Sequence, residues 1–487
     1  MEAKSKKLIT EEAPDKGVSK KNKELYKKLL AEYPNLWESR SEDDFVHAMA
    51  LAEEYKLFLD TGKTEREFVR ATIESIEQIG YVDINMVSAL KPGMKVYQSI
   101  KGKGLMAAVI GRKPLSDGMN ILGSHVDSPR LDLKPCPLYE DSEMVYLKTH
   151  YYGGIKKYQW PTIPLAIHGV IVRSDGSMIN LSIGEKEEDP IFYITDLLPH
   201  LGNEQMQKKA TEMITGEDLN LLIGGRPIED KKSGGRYKLG ILNLLFEEYG
   251  IVEKDLVSAE IEIVPALKAR DVGFDRSFIA AYGQDDRVCA FPALMALMQQ
   301  ERPNKTCVIM LSDKEEIGSY GNTGAQSRLY ENFLVELFVK TNEIYDELGF
   351  RKCMEASKMM SADVTNGYDP TFSSVSDPKN NAYMGHGITM EKYVGSRGKS
   401  GTNDANCEFF SQILQVFAKN DIPWQTGELG KIDAGGGGTI AVYMAKLGME
   451  VIDCGVPVLS MHAPYELTSK IDLYFTYLAY KTFIEQM

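Results

Sequence analysis

Apolar residues recur at helical spacing through FVHAMALAEEYKLFLDTGKTEREFVRATIESIEQIG, which predicts surface helices laying one face on a core. Short apolar runs follow, MAAVIG and MNILGSH, with the length and texture of buried strands. Between about residues 138 and 270 the texture shifts to β-rich segments such as IPLAIHGVIVRSDGSMINLSIG and EIEIVPALKA, joined by the polar GGRPIEDKKSGGRY. This stretch reads as an inserted β-rich unit. After about residue 275, strand and helix patterns alternate, with KTCVIMLSD, KMMSADV and MEVIDCGVPVLSMHAP each running into a loop. The alternation predicts an α/β fold, a mixed central sheet flanked by helices. No internal repeat interrupts it. The first 25 residues, rich in Lys and Glu with no aromatic before Tyr26, are expected to form a loosely held arm. The principal unit is then 26–137 plus 271–487, with 138–270 as the insertion.

The composition narrows the class. With 43% apolar and 26% charged residues among 487, the chain reads as soluble and globular. A formal charge of -14 excludes a general nucleic-acid or anionic-membrane surface, since both need clustered positive charge. The six cysteines are scattered without a C-x-x-C pair, so neither a disulfide framework nor a zinc knuckle is signalled. The charged N-terminus has no apolar signal region, and no run of about 18 apolar residues occurs. A cytoplasmic protein is expected.

In sheets of this kind ligands sit at the carboxyl ends of the strands, so polar residues directly after apolar runs carry the argument. Five clusters qualify: SHVDSP, GQDDRVCAF, SDKEEIGS, SADVTNG and SMHAPYE. They supply His125, Asp127, Asp285, Asp286, Glu315, Glu316, Asp363 and His462. Singly each has an ordinary explanation: a loop histidine, an Asp that caps a helix or makes a turn, a carboxylate favoured by a helix dipole. Together at one sheet edge, so many acids would repel and raise one another's pKa values. Divalent cations would resolve that conflict, and two imidazoles with several carboxylates suit hard or borderline ions such as Zn, Co or Mn. A bridging acid, two histidines and two further acids suffice for two metals about 3.5–4 Å apart. Of the adjacent Glu pair, one can bind metal while the other serves as general base.

At these residues the chain resembles the aspartyl aminopeptidase and vacuolar aminopeptidase I family of dinuclear zinc metallopeptidases. The resemblance spans nearly everything after the N-terminal arm and rests on GSHVDSP, YYGGI with Trp160 after it, GQDDRVCAF, SDKEEIGS, SADVTNGYDP, GGGGTIAVYMAKLG and VPVLSMHAPYE. It implies His125, Asp285 and Asp363 around one metal, and Asp285, Glu316 and His462 around the other. Glu315 becomes the general base and Asp127 the acid that orients His125. It further implies peptide substrates, a zinc aminopeptidase domain, an inserted dimerisation domain, and a homo-oligomer, a dodecamer built from dimers. Relatives carry a histidine after a P-H-L stretch that reaches a neighbouring active site. This chain reads LLPHLGNEQ, with Glu204 at that place.

Acid-selective cleavage would need a cation in the first side-chain pocket, and EKYVGSRGKSGTN offers Lys392, Arg397 and Lys399. Solvated loop charge is an equal explanation of all three. Branches of the family prefer neutral residues such as Leu, and a broad or neutral preference is expected. YVGSRGKSG is not a phosphate loop, because Tyr393 stands where the first glycine is required. The four glycines of DAGGGGTIAVYMAKLG suit close approach of backbone to substrate. Arg130 is expected at the surface or an interface. His47, His150, His168 and His200 are assigned to structure, with His386 as a candidate pocket or interface residue. Two other functions compete: a related dinuclear carboxypeptidase or amide deacylase, and a non-catalytic self-assembling shell or cargo protein.

Overall fold

The computed structural model describes residues 25–26, 28–229, 234–342 and 345–487. The expected arm falls almost wholly outside the described residues. The predicted surface helices form at Glu42–Thr61 and Glu65–Glu77. Each starts at a reciprocal cap, Ser41 with Asp44 and Thr64 with Glu67, which satisfies amide groups that a helix start leaves free.

A nine-stranded mixed sheet forms the centre. In spatial order its strands are Val82–Asp83, Lys95–Ile100, Gly104–Val109, Thr306–Ser312, Met119–His125, Lys358–Ala362, Glu450–Gly455, Ile388–Glu391 and Trp424–Thr426. The four inner strands from Thr306–Ser312 to Glu450–Gly455 run parallel, and an antiparallel strand flanks them on each side. Met119–His125 and Thr306–Ser312 are buried along their whole length, as continuous apolar runs in a doubly covered sheet should be. Successive side chains point to opposite faces: Cys307, Ile309 and Leu311 join one core, and Val308 and Met310 the other. Helices Gln284–Met298 and Lys470–Gln486 cover the first face; Arg328–Asn342 and Glu347–Ala356 cover the second.

A six-stranded antiparallel sheet lies within residues 130–265, with its own apolar cluster around Leu131, Trp160 and Ile263. Its first strand, Arg130–Asp141, starts ahead of the expected boundary at 138, because Leu131 points into that cluster straight after the His125 loop. A five-stranded sheet combines Phe278–Ala281, Glu466–Ser469 and Pro457–Leu459 with Arg270–Val272 and Thr365–Asn366. It brings the segments before Asp285 and around His462 alongside the central sheet. Among the described residues no helix is long and apolar enough to cross a membrane.

Candidate active site

The parallel strands deliver their carboxyl ends to one place. His125 is the last residue of its strand and pairs in register with Ser312, so the loop after Ser312 that carries Glu315 and Glu316 starts beside it. Asp363 follows Ala362 directly, at the end of the neighbouring parallel strand. Asp285 opens helix Gln284–Met298 with non-helical backbone, and His462 sits in the turn between Pro457–Leu459 and Glu466–Ser469.

The five residues meet. His125 Nε2 lies 3.1 Å from Asp285 Oδ1 and 3.6 Å from Asp363 Oδ1. His462 Nε2 lies 3.1 Å from Asp285 Oδ2 and 3.4 Å from Glu316 Oε2. Asp285 thus stands between two imidazoles, offering one oxygen to each. Both rings turn Nδ1 to a main-chain carbonyl, of Asp127 at 3.1 Å and of Gly154 at 2.9 Å. If Nδ1 donates there, each neutral ring faces carboxylate oxygens with a lone pair, and acceptor meets acceptor.

That conflict tests the site for cations. Burial and neighbouring Asp363 push Glu315 up to about 8, and burial with Asp285 raises Glu316 well above the usual carboxylate range. Burial and the surrounding acids raise Asp363 too, and burial and Asp363 raise Asp286. Burial opposes charge on His462, yet its hydrogen bond to Asp285 carries it up to about 11. Glu316 Oε1 and Asp286 Oδ1 are buried with no hydrogen-bond partner. Two groups have metal-ligand spacing, His125 with Asp286 and Asp363, and His125 with Asp285 and Glu316. Two imidazole nitrogens among carboxylates form a nitrogen and oxygen donor set that fits zinc. Asp286 was seen in the sequence as part of its cluster; its carboxylate accepts from the His125 amide at 3.3 Å.

Asp127, expected to orient His125, has further partners. Its carboxylate is 3.4 Å from His125 Nδ1, farther than its own carbonyl, and it accepts from the amides of Glu315 at 3.1 Å and Glu316 at 3.3 Å. Tyr152 donates its hydroxyl to the same carboxylate at 2.8 Å. Arg130, expected at the surface or an interface, is buried within the chain: its guanidinium stacks 3.9 Å above the Tyr152 ring and reaches Asp132 at 2.8 Å and Glu262 at 3.0 Å. The segment after Tyr152 closes over the site, and an added Cβ on Gly154 would lie at ordinary contact distance, 3.4 Å, from His462 Nδ1. Glu466 was also without an assigned role. It accepts from the amides of His462 at 2.7 Å and Asp285 at 3.1 Å, which ties the two sides of the site together. Its signal was the Glu closing the SMHAPYE motif.

A chamber of about 430 Å³ opens from this cluster, with Gly436, Gly437 and Gly438 in its wall. Gly436 has φ +118, and a Cβ there would meet the Gly395 carbonyl oxygen at 2.0 Å, so the loop can close only without a side chain. Arg397 and Lys399 line an adjoining cleft that shares Val394 and Leu429 with the chamber, Lys399 pairing with Asp404 at 2.9 Å, and Lys392 is exposed. His386 lies away from the cluster, facing the Tyr33 carbonyl at 2.7 Å. Glu204 is exposed on the short helix Asn203–Met206.

The family model described as "Aminopeptidase I zinc metalloprotease (M18)" matches residues 58–484. A probable M18 family aminopeptidase 1 of Clostridium acetobutylicum is 50% identical over 460 residues, covering 94% of this chain and 99% of the relative. The crystal structure of an M18 family aminopeptidase from Thermotoga maritima superposes with a TM-score of 0.91 at 42% identity, covering 94% of this chain and 100% of that one. The S. cerevisiae mApe1 dodecamer shares the fold, with a TM-score of 0.71 at 21% identity over 90% of this chain and 96% of that one.

Proposed function

This chain belongs to the M18 family of aminopeptidase I zinc metalloproteases, and on that premise we propose which of its residues perform the hydrolysis. His125, Asp285 and Asp363 would hold one zinc ion, and Asp285, Glu316 and His462 would hold the second. The observation that carries this reading is the Asp285 carboxylate, placed 3.1 Å from each of two imidazole nitrogens through different oxygens. When bound, the two ions supply Lewis acidity and lower the pKa of water.

The remaining steps belong to the protein. Glu315, half-buried in the chamber wall and raised to about 8 by desolvation and the acids around it, accepts the proton of the attacking water and returns it to the leaving amine nitrogen. Asp127 holds the Glu315 and Glu316 amides, which fixes the base against its neighbour. The glycine loop and Tyr443 enclose the substrate's N-terminal residue and exclude water. Free N-termini enter because the chamber wall is acidic. Residues 130–265 serve as a dimerisation unit, and dimers assemble into a dodecamer. The six free cysteines, four of them buried, support a reducing, cytoplasmic setting.

Turnover of an amino-acid p-nitroanilide, lost on chelation and restored by zinc, tests the assignment. Turnover of only an N-acetyl amino acid would favour a deacylase instead. The mass of the purified protein by sedimentation tests the assembly.

A further inference from the structure

We propose that Glu391 makes this chamber selective for peptides that begin with a cationic residue, lysine or arginine. The inference rests on the aminopeptidase reading above and adds its substrate class.

The charge inventory of the chamber is one-sided. Its wall contains Asp285, Glu315, Glu316, Asp363 and Glu391, and among the described residues no lysine or arginine. The first four belong to the metal centre and its base, whereas Glu391 is left over. It closes strand Ile388–Glu391 and is 4% exposed. Thr365 donates its hydroxyl to Oε1, which fixes the carboxyl group on one side. Across the antiparallel pair its register partner is Asp453, also buried, whose Oδ1 accepts from Thr439 at 2.5 Å while Oδ2 has no partner. Neither acid belongs to a group with metal-ligand spacing among the described residues. The basic side chains of the neighbouring loop do not compensate them, since Arg397 and Lys399 line the adjoining cleft and Lys399 is committed to Asp404.

Burial, with Asp453, Asp363 and Glu428 nearby, pushes the Glu391 carboxyl up to about 8. An ammonium or guanidinium brought by a ligand would relieve that cost and leave the acid ionised. The walls beside it suit the rest of such a side chain, because Val364, Val394 and Leu429 offer apolar surface to an alkyl stem whose charged end reaches Glu391. An aspartyl or glutamyl side chain would instead meet a carboxylate with no cation to balance it. A leucyl side chain would fill the apolar part and leave the acid with its Thr365 hydrogen bond but no cation.

The test compares kcat/KM for lysyl, arginyl, leucyl and aspartyl p-nitroanilides on the zinc-loaded full chain, for the wild type and for Glu391→Gln. The lysyl and arginyl compounds should be best and the aspartyl compound worst. The lysyl-to-leucyl ratio should fall roughly 10- to 100-fold in Glu391→Gln, the range expected for a charged hydrogen bond. Calorimetry provides a readout independent of turnover: L-lysine should bind more tightly than L-norleucine, which has the same stem without the charge. Faster cleavage of the leucyl than the lysyl compound by the wild type, or equal binding of the two amino acids, overturns the inference alone. An equal loss on all four substrates in Glu391→Gln also overturns it, assigning Glu391 to the α-amine. Absence of turnover of every aminoacyl compound would sink the aminopeptidase assignment itself, and the inference with it.

Discussion

Replacing Tyr152 by Phe removes one oxygen atom and should slow catalysis without emptying the metal site. The lost hydroxyl donates at 2.8 Å to the buried carboxylate of Asp127, which also accepts the amides of Glu315 and Glu316. A hydrogen bond to a charged group contributes about 1.5–3 kcal/mol, and a misplacement near 1 Å at a reacting centre costs roughly a hundredfold in rate. The Phe ring keeps the stack under Arg130, and all five proposed ligands stay in place. We expect kcat to fall roughly 10- to 100-fold with KM changed little, and zinc content unaltered. Steady-state kinetics on a lysyl p-nitroanilide, elemental analysis and thermal melting together read these quantities. Arg130→Lys, which keeps the charge and loses the flat stack, should give an intermediate rate. The reasoning fails if Tyr152→Phe retains full kcat while its melting temperature drops, since the hydroxyl would then act on stability alone.

Three further expectations follow from the same geometry. Glu315→Gln should lower kcat by roughly a thousandfold or more while zinc content and assembly persist, and unchanged turnover would show that another group moves the proton. Asp285→Asn should bring the zinc content from about two to below one per subunit, because one side chain serves both ions; retention of both would refute the shared carboxylate. Glu185 lies between His168 at 3.1 Å and Lys63 at 2.7 Å, and although burial opposes its charge, these partners hold it down to about 2. Its folded value lies below its unfolded one, so its contribution to stability is complete above about pH 4.5 and disappears as the pH falls toward 2. Denaturant midpoints of wild type and Glu185→Gln measured across that window should converge toward the acid end, and parallel curves would exclude the mechanism.

Much of this was legible along the chain. The strand runs MNILGSH and KTCVIMLSD declare themselves because both faces of the central sheet are covered and their middles, residues 121–123 and 307–311, carry no charged or amide side chain. His125, Asp285, Glu316, Asp363 and His462 could be gathered with Asp127, Asp286 and Glu315 because each follows an apolar run or lies at a helix start, and the resemblance to the family then implied which of the eight are ligands. Tyr152 and Arg130 were less visible. Their partners come from a hairpin, from Glu262 on another strand and from Glu65 on a helix, so the burial of Arg130 is a product of tertiary packing that local pattern does not encode. For Lys392, Arg397 and Lys399 the sequence left a pocket role and solvated loop charge equally open, because local pattern does not say which way a loop turns; Lys392 is exposed, and Arg397 and Lys399 line a neighbouring cleft.

The Gly154 carbonyl that receives His462 is carried by a chain segment leaving the six-stranded sheet, while His462 itself stands close to the C-terminus. A ribosome-bound chain therefore lacks a competent centre until the segment bearing His462 has emerged and both sheets have docked. The order of these elements along the chain shields the cell from a half-made protease.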